Sequence, residues 1–163
     1  MQAPPFSILN LPQSVLGLVK EVARHLLRRP VIAICAAAHT KDGRWLLIRR
    51  ADTGTWALPG GTLEWGETLR TGIVRELEEE AGVTEVEIER LVGVFSRPDR
   101  DPRFHSVTVV ITALVGEPTR APMNPLEIRE AKLFHQHELP TELAMGGTDI
   151  LAAALRGEAA ILE

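Results

Sequence analysis

Between Gly61 and Val83 this chain gathers most of the residues that could do chemistry. Glu76, Glu79 and Glu80 are separated by offsets of three and four residues. On a helix at about 100° per residue they share one face. Carboxylates held side by side repel one another, and the cluster is costly unless a cation neutralises it. Hard oxygen donors at close quarters suit Mg2+, with Mn2+ as the alternative. Such an ion could also hold a polyanionic partner locally. Spacing alone leaves a solvated acidic face as the competing reading. No Ser-His-Asp or Cys-His arrangement is visible, so a covalent intermediate is not expected. His39, His135 and His137 show no metal-ligand pattern and read as surface or strand-end residues.

The helix that must carry these acids runs from Thr68 to Ala81. Leu69, Ile73, Leu77 and Ala81 form its apolar stripe, Gly82 sits in the glycine C-cap position, and Glu78 falls on the far, solvated side. A Gly/Pro/Thr-rich loop, Asp52–Gly66, leads into it. Upstream, the apolar run Val31–Ala38 reads as a buried strand, Lys41-Asp42-Gly43 as a turn, and Arg44–Arg50 as the second arm of a hairpin. Downstream, Val86–Phe95 and His105–Val115 are strand-like, separated by a polar loop, Ser96–Phe104. Gly116–Asn124 is a further Pro-rich loop, Arg129–His135 a short strand, and Thr148–Arg156 a closing helix. An amphipathic helix, Pro12–Arg29, precedes all of this and is stopped by Pro30. Residues 1–30 therefore read as a helical flank and 31–163 as the domain. The mixture of strands and helices indicates an α/β class sandwich.

Composition sets outer bounds. A chain of 163 residues, 45% hydrophobic and 25% charged, has enough length for one domain with a real core. Its net charge of −4 supplies no general basic field, so no nucleic-acid partner is expected. No stretch approaches the ~18 apolar residues of a membrane span, and the N-terminus lacks the features of a leader. The single cysteine, Cys35, lies in an apolar run and reads as a free buried thiol, which suits a reducing, cytoplasmic setting.

The stretch Gly61, five residues, Glu67, seven residues, then Arg75-Glu76-Leu77-Glu78-Glu79-Glu80-Ala81-Gly82-Val83 resembles the Nudix box at every defining position. The resemblance extends from about Val31 to Pro140, including the approach Trp56-Ala57-Leu58-Pro59-Gly60-Gly61. It implies an α/β/α sandwich with a mixed central sheet and a Mg2+-dependent hydrolysis of a nucleoside diphosphate linked to another group. By position, Glu76, Glu79 and Glu80 would bind metal, helped by the backbone carbonyl of Gly60. Glu67 would pair with Arg75 and reach a metal through water. Gly61 and Gly82 would serve as backbone devices. The general base is open among Glu127, Glu130 and Glu76, with Glu127 favoured as the more loop-like.

Substrate choice follows from the same resemblance. Pro98, sixteen residues after Gly82, matches the mark of ADP-ribose pyrophosphatases, and the chain contains no tyrosine, the mark of diadenosine polyphosphate hydrolases. Arg50, Arg97, Arg100 and Arg103 are candidates for phosphate or ribose, and Trp56 and Phe104 for stacking on a base. The expected substrate is ADP-ribose or a similar nucleoside diphosphate sugar. The alternatives are a (d)NTP hydrolase releasing pyrophosphate and a non-catalytic nucleotide-sensing module. The long apolar stripe of the N-terminal helix is expected to line a homodimer interface.

Overall fold

A computed structural model describes residues 13–27, 29–157 and 160–163. The N-terminal ten residues and the position of Pro12 fall outside them. The chain divides into two compact units, Met1–Pro30 and Val31–Glu163. The first contains α1 (Gln13–Leu27), on which Leu18, Val19 and Val22 are exposed. Among the described residues no helix is long and apolar enough to cross a membrane.

The second unit is built on an eight-stranded mixed sheet. Its strands are β1 (Val31–His39), β2 (Trp45–Arg50), β3 (Trp56–Ala57), β4 (Gly60–Thr62), β5 (Val86–Phe95), β6 (Ser106–Val115), β7 (Ile128–Phe134) and β8 (Ile161–Leu162). The main path runs β3-β2-β1-β6-β5-β8, with β4 beside β1 and β7 beside β2. β1 pairs in parallel with β6 along its whole length, from Val31 opposite Ser106 to His39 opposite Leu114. It meets β2 at the hairpin end, His39 opposite Trp45, while farther back β4 takes the place beside it. The two arms of the hairpin therefore diverge, and the cleft described below opens where they part.

Period-two alternation on β1 buries both faces of the sheet. Ile34, Ala36 and Ala38 pack with Ile73, Leu77 and Ala81 of α2 (Leu69–Ala81), and Ala37 packs with Ile150, Leu151 and Ala154 of α3 (Gly147–Arg156). A strand buried on both faces reads as a continuous apolar run, which is why Val31–Ala38 shows no alternation in sequence. Three successive alanines leave room for a helix to approach each face. The result is the expected α/β/α sandwich.

Three local expectations change. The Asp52–Gly66 loop contains β3 and β4, each too short to leave a periodic signal. Leu69, assigned to the apolar stripe, is exposed at the first turn of α2, and Gly72 occupies the buried face there instead. The 3-10 turns Gln136–Glu138 and Ala144–Gly146, and β8, carry no pattern long enough to read.

Candidate active site

α2 begins on a capping box in which Thr68 and Thr71 exchange side-chain and backbone hydrogen bonds, and it ends at Gly82 with φ 65°, the left-handed cap only glycine adopts without strain. These two ends fix the register of the helix, and with it the acids. Arg75 is the hub. Its Nε donates to Glu67 at 2.8 Å and its Nη2 to the other Glu67 oxygen at 3.1 Å. Nη1 donates to Glu76 at 2.8 Å and to Glu79 at 3.2 Å, and Nη2 reaches the Thr62 carbonyl at 3.3 Å. So many anionic partners, Glu67 foremost, raise the guanidinium's pKa further. Glu67 also accepts the Glu64 N–H at 3.1 Å, and these bonds clamp the loop onto the helix. The carboxylate of Glu67 thus pairs with Arg75 and does not line the cleft described below.

Glu76 and Glu80 are buried on the inner side of α2, and Glu79 is half-exposed beside them. Gly61 lies so close to Glu76 that a Cβ there would stand 2.4 Å from its carboxylate oxygen. Glu80 accepts the Gly60 N–H at 2.8 Å. In the antiparallel β1–β4 ladder, Pro59 and Leu63 bond across to β1, so Gly60 is an alternate residue whose N–H and C=O both point away from β1. The Gly60 carbonyl therefore shares the edge at which Glu80 sits.

These carboxylates press on one another. Burial pushes the pKa of Glu76 up against the pull of Arg75, with the Glu79 and Glu127 charges adding to the rise. Glu80 is pushed up to about 8 by burial, opposed by its bond from Gly60 and reinforced by Glu76 and Glu127. Glu127 precedes β7 and faces both, held in its turn by an Asn124 amide at 3.4 Å. Arg75 holds Glu76 and Glu79 while Glu80 turns to Gly60, so among the described residues no three acidic, His or Cys side chains converge on one point. By chemistry the donor set still fits a hard divalent cation: carboxylate oxygens in excess of the positive charge beside them, with a backbone carbonyl at the same edge.

A cleft of about 380 Å3 opens over this cluster. Its lining includes the acids Glu76, Glu79, Glu80 and Glu127 together with Arg50, Arg100, Asp101, Arg103 and Phe104. Glu130, by contrast, is an exposed partner of Arg49 at 3.2 Å and does not line it. Arg103 lies over the Phe104 ring at 5.1 Å and is ion-paired with Asp101 at 2.8 Å. Arg50 is paired with Asp52.

Two expected substrate residues are not brought here. Trp56 packs edge-on against Phe134, with centroids 4.9 Å apart, because β3 pairs it outward beside Arg49. Arg97 is half-exposed and paired with Asp99 and Glu163, at 3.5 and 3.4 Å. Pro98 is exposed at the corner of a turn closed by the Arg100 N–H on the Arg97 carbonyl at 3.3 Å, so it shapes the loop without forming the wall. Cys35, read as a core thiol, is half-buried in the cleft lining, and burial with the Glu80 charge pushes its pKa to about 12. His39 pairs with Glu89 at 2.9 Å, and His135 and His137 stack on each other, all away from the cleft.

Sequence reasoning missed Asp101 and Met145. Asp101 is buried and its carboxylate accepts the Arg103 N–H at 2.9 Å. That Asx turn is foreshadowed by Asp-Pro-Arg, a signal that was available. Met145 lines the cleft from a left-handed backbone position, φ 55°, which nothing in a Met-Gly-Gly string announces.

Comparison with known proteins adds four findings. The NUDIX domain family matches this chain over residues 28–154. An ADP-ribose pyrophosphatase of Methanocaldococcus jannaschii is 38% identical over 119 residues, 71% of this chain and 68% of that protein. A MutT-like protein of Streptomyces ambofaciens is 48% identical over 69 residues, 42% of this chain and 44% of its own length. Among solved structures, an ADP-ribose pyrophosphatase of Streptococcus suis 89-1591 superposes with a TM-score of 0.63 at 26% identity, covering 83% of this chain and all of that one.

Proposed function

The chain belongs to the NUDIX domain family, a family of hydrolases, and on that premise we propose that it cleaves the diphosphate of ADP-ribose or a similar nucleoside diphosphate sugar with Mg2+. The observation that carries this reading is a single cleft lined both by the carboxylates of Glu76, Glu79, Glu80 and Glu127 and by Arg50, Arg103 and Phe104. The carboxylates suit a diphosphate neutralised by cations. The arginines and the Phe104 ring suit the phosphate, ribose and base of a nucleotide.

In this reading Glu76, Glu79, Glu80 and the Gly60 carbonyl hold the metal. Bound there, Mg2+ would offset the phosphate charge and make water a stronger nucleophile. Glu127 takes the proton of the attacking water, since it faces the buried acids from a separate element and, among the described residues, forms no ion pair within 4 Å with an arginine. Arg103 offers a fork to the phosphate remote from the cleaved bond, and Phe104 a ring face to the base. Water adds to one phosphorus, the bridging oxygen leaves with the other phosphoryl group, and two phosphomonoesters result.

Product analysis across ADP-ribose, GDP-mannose and dNTPs with Mg2+ tests the proposal. Two phosphomonoesters from a diphosphate sugar are expected. Pyrophosphate from a dNTP as the preferred reaction would replace this reading with the (d)NTP hydrolase, and no turnover with any of them would leave the nucleotide-sensing module. The kcat/KM for ADP-ribose should exceed that for diadenosine polyphosphates at least ~10-fold, about 1.4 kcal/mol in the transition state.

A further inference from the structure

Part of the cleft lining is made by two segments with no backbone pairing to each other, the loop 96–104 and the turn 144–147. What joins them is Arg100. Its side chain is 6% exposed, lies over the Phe95 ring at 5.1 Å, and donates from Nη1 to the Gly146 carbonyl at 3.3 Å. Its remaining nitrogens are taken by one residue, Glu163: Nε donates to Oε2 at 3.0 Å and Nη2 to Oε1. The same carboxylate accepts the backbone N–H groups of Ser96 at 2.9 Å and Arg97 at 3.0 Å, the first residues of the loop. Arg100 therefore presents no free fork to a substrate. It is a bolt, and Glu163 sets it.

Glu163 is itself held in place by the sheet. β8 pairs in parallel with β5, Ile161 opposite Gly93 and Leu162 opposite Val94, and the Glu163 N–H donates to the Val94 carbonyl at 3.0 Å. Gly93 makes that approach possible, since a Cβ there would stand 2.4 Å from the Ile161 carbonyl oxygen. The docking groove of β8 is thus written into the C-terminal end of β5.

We infer that Glu163 is a positioning residue for substrate recognition, which acts through Arg100 to hold the loop 96–104 and the turn 144–147 as one wall of the cleft. The inference rests on the diphosphate reading above for what that wall touches, namely the group beyond the cleaved bond. A wall that binds ground state and transition state alike changes KM and leaves kcat alone. Three of the carboxylates lie on α2 and Glu127 lies just before β7, neither of which β8 pairs with, so the chemical step is insulated from it.

The test measures E163A, E163Q and E163D on whichever of ADP-ribose, GDP-mannose and dGTP the unmodified protein cleaves best. A change in the preferred substrate then counts against the substrate reading and leaves the clamp to be decided. E163A should raise KM ~10-fold with kcat within ~2-fold, E163D should recover most of the loss, and E163A with R100Q should add little to either alone. Hydrogen exchange, which needs no substrate, should quicken at Ser96 and Arg97 and at residues 145–147 together. E163Q keeps the side-chain shape, so it decides the matter if truncation unfolds the protein. Unchanged KM, a fall in kcat with KM constant, additive Glu163 and Arg100 effects, or faster exchange in the loop without the turn would each overturn the inference.

Discussion

Glu80 is the most telling single side chain. It is buried at 8% exposure, bonded to one backbone N–H, and surrounded by more negative than positive charge. Glu80→Gln should keep the fold and lower kcat at least ~10²-fold, because an amide is a poorer ligand for a hard cation and cannot offset its charge. Near-normal turnover at saturating Mg2+ would remove Glu80 from the site. Glu78→Gln is the control, since Glu78 is a half-exposed partner of Arg120 at 2.7 Å and such pairs contribute little. The same logic separates the candidate bases: Glu127→Gln should lower kcat ~10²-fold or more, and Glu130→Gln less than ~3-fold. Cys35 yields a chemical prediction. With its pKa near 12, about one thiol in ten thousand is ionised at pH 8, so iodoacetamide should leave it unmodified despite its place in the cleft lining. Rapid alkylation of the native protein would show the pocket to be wetter than its burial implies.

At the scale of elements, α2 is held by its ends and by the loop folded onto it. Thr68→Ala removes the hydroxyl that caps the Thr71 N–H and should cost about 1 kcal/mol in denaturant unfolding with kcat nearly unchanged. Gly61→Ala should do the reverse. A methyl group 2.4 Å from the Glu76 oxygen must displace that carboxylate, so activity should fall ~10-fold or more while unfolding is little affected. The tail clamp has its own pH signature. Arg100, with the Ser96 and Arg97 N–H groups, holds the Glu163 pKa down to about 2 from an ordinary 4.5. A depressed carboxyl contributes its full stabilisation above 4.5 and loses it as pH falls through about 2. The exchange protection of the loop should therefore be flat from pH 5 upward and decline below it, and a midpoint near neutrality would contradict the assignment.

For the molecule as a whole, the sheet brings together acids from α2 and Glu127, with cations from β2 and the loop 96–104, segments far apart in sequence but adjacent because β1 lies between β2 and β6. The homodimer expected from the N-terminal helix is kept as a proposal. Leu18, Val19 and Val22 are exposed on α1, and a second copy of this helix is the partner proposed for them. Light scattering at micromolar concentration should give twice the chain mass for the full protein, and Val19→Lys with Val22→Lys should reduce it to one. A single-chain mass for the unmodified protein would end that proposal.

The acids were legible because they obey local rules. Spacing of three and four residues fixes a helix face, Gly82 fixes where the helix stops, and Glu67 falls where it can meet Arg75. The strands were legible where they are long, as with β5, whose bounds coincide with the expected run Val86–Phe95. What only the tertiary structure decided is everything set by neighbours distant in the chain. Glu127 and Glu130 are three residues apart and look alike in sequence. A strand turns successive residues to opposite faces and a preceding turn turns them elsewhere, so one enters the cleft and the other pairs with Arg49. Trp56 carried the same sequence signal as Phe104, but β3 commits its ring to Phe134. Glu163 carries no local pattern at all, because its role depends on β8 finding a glycine gap in β5, a fit of two backbones that no spacing along one of them encodes.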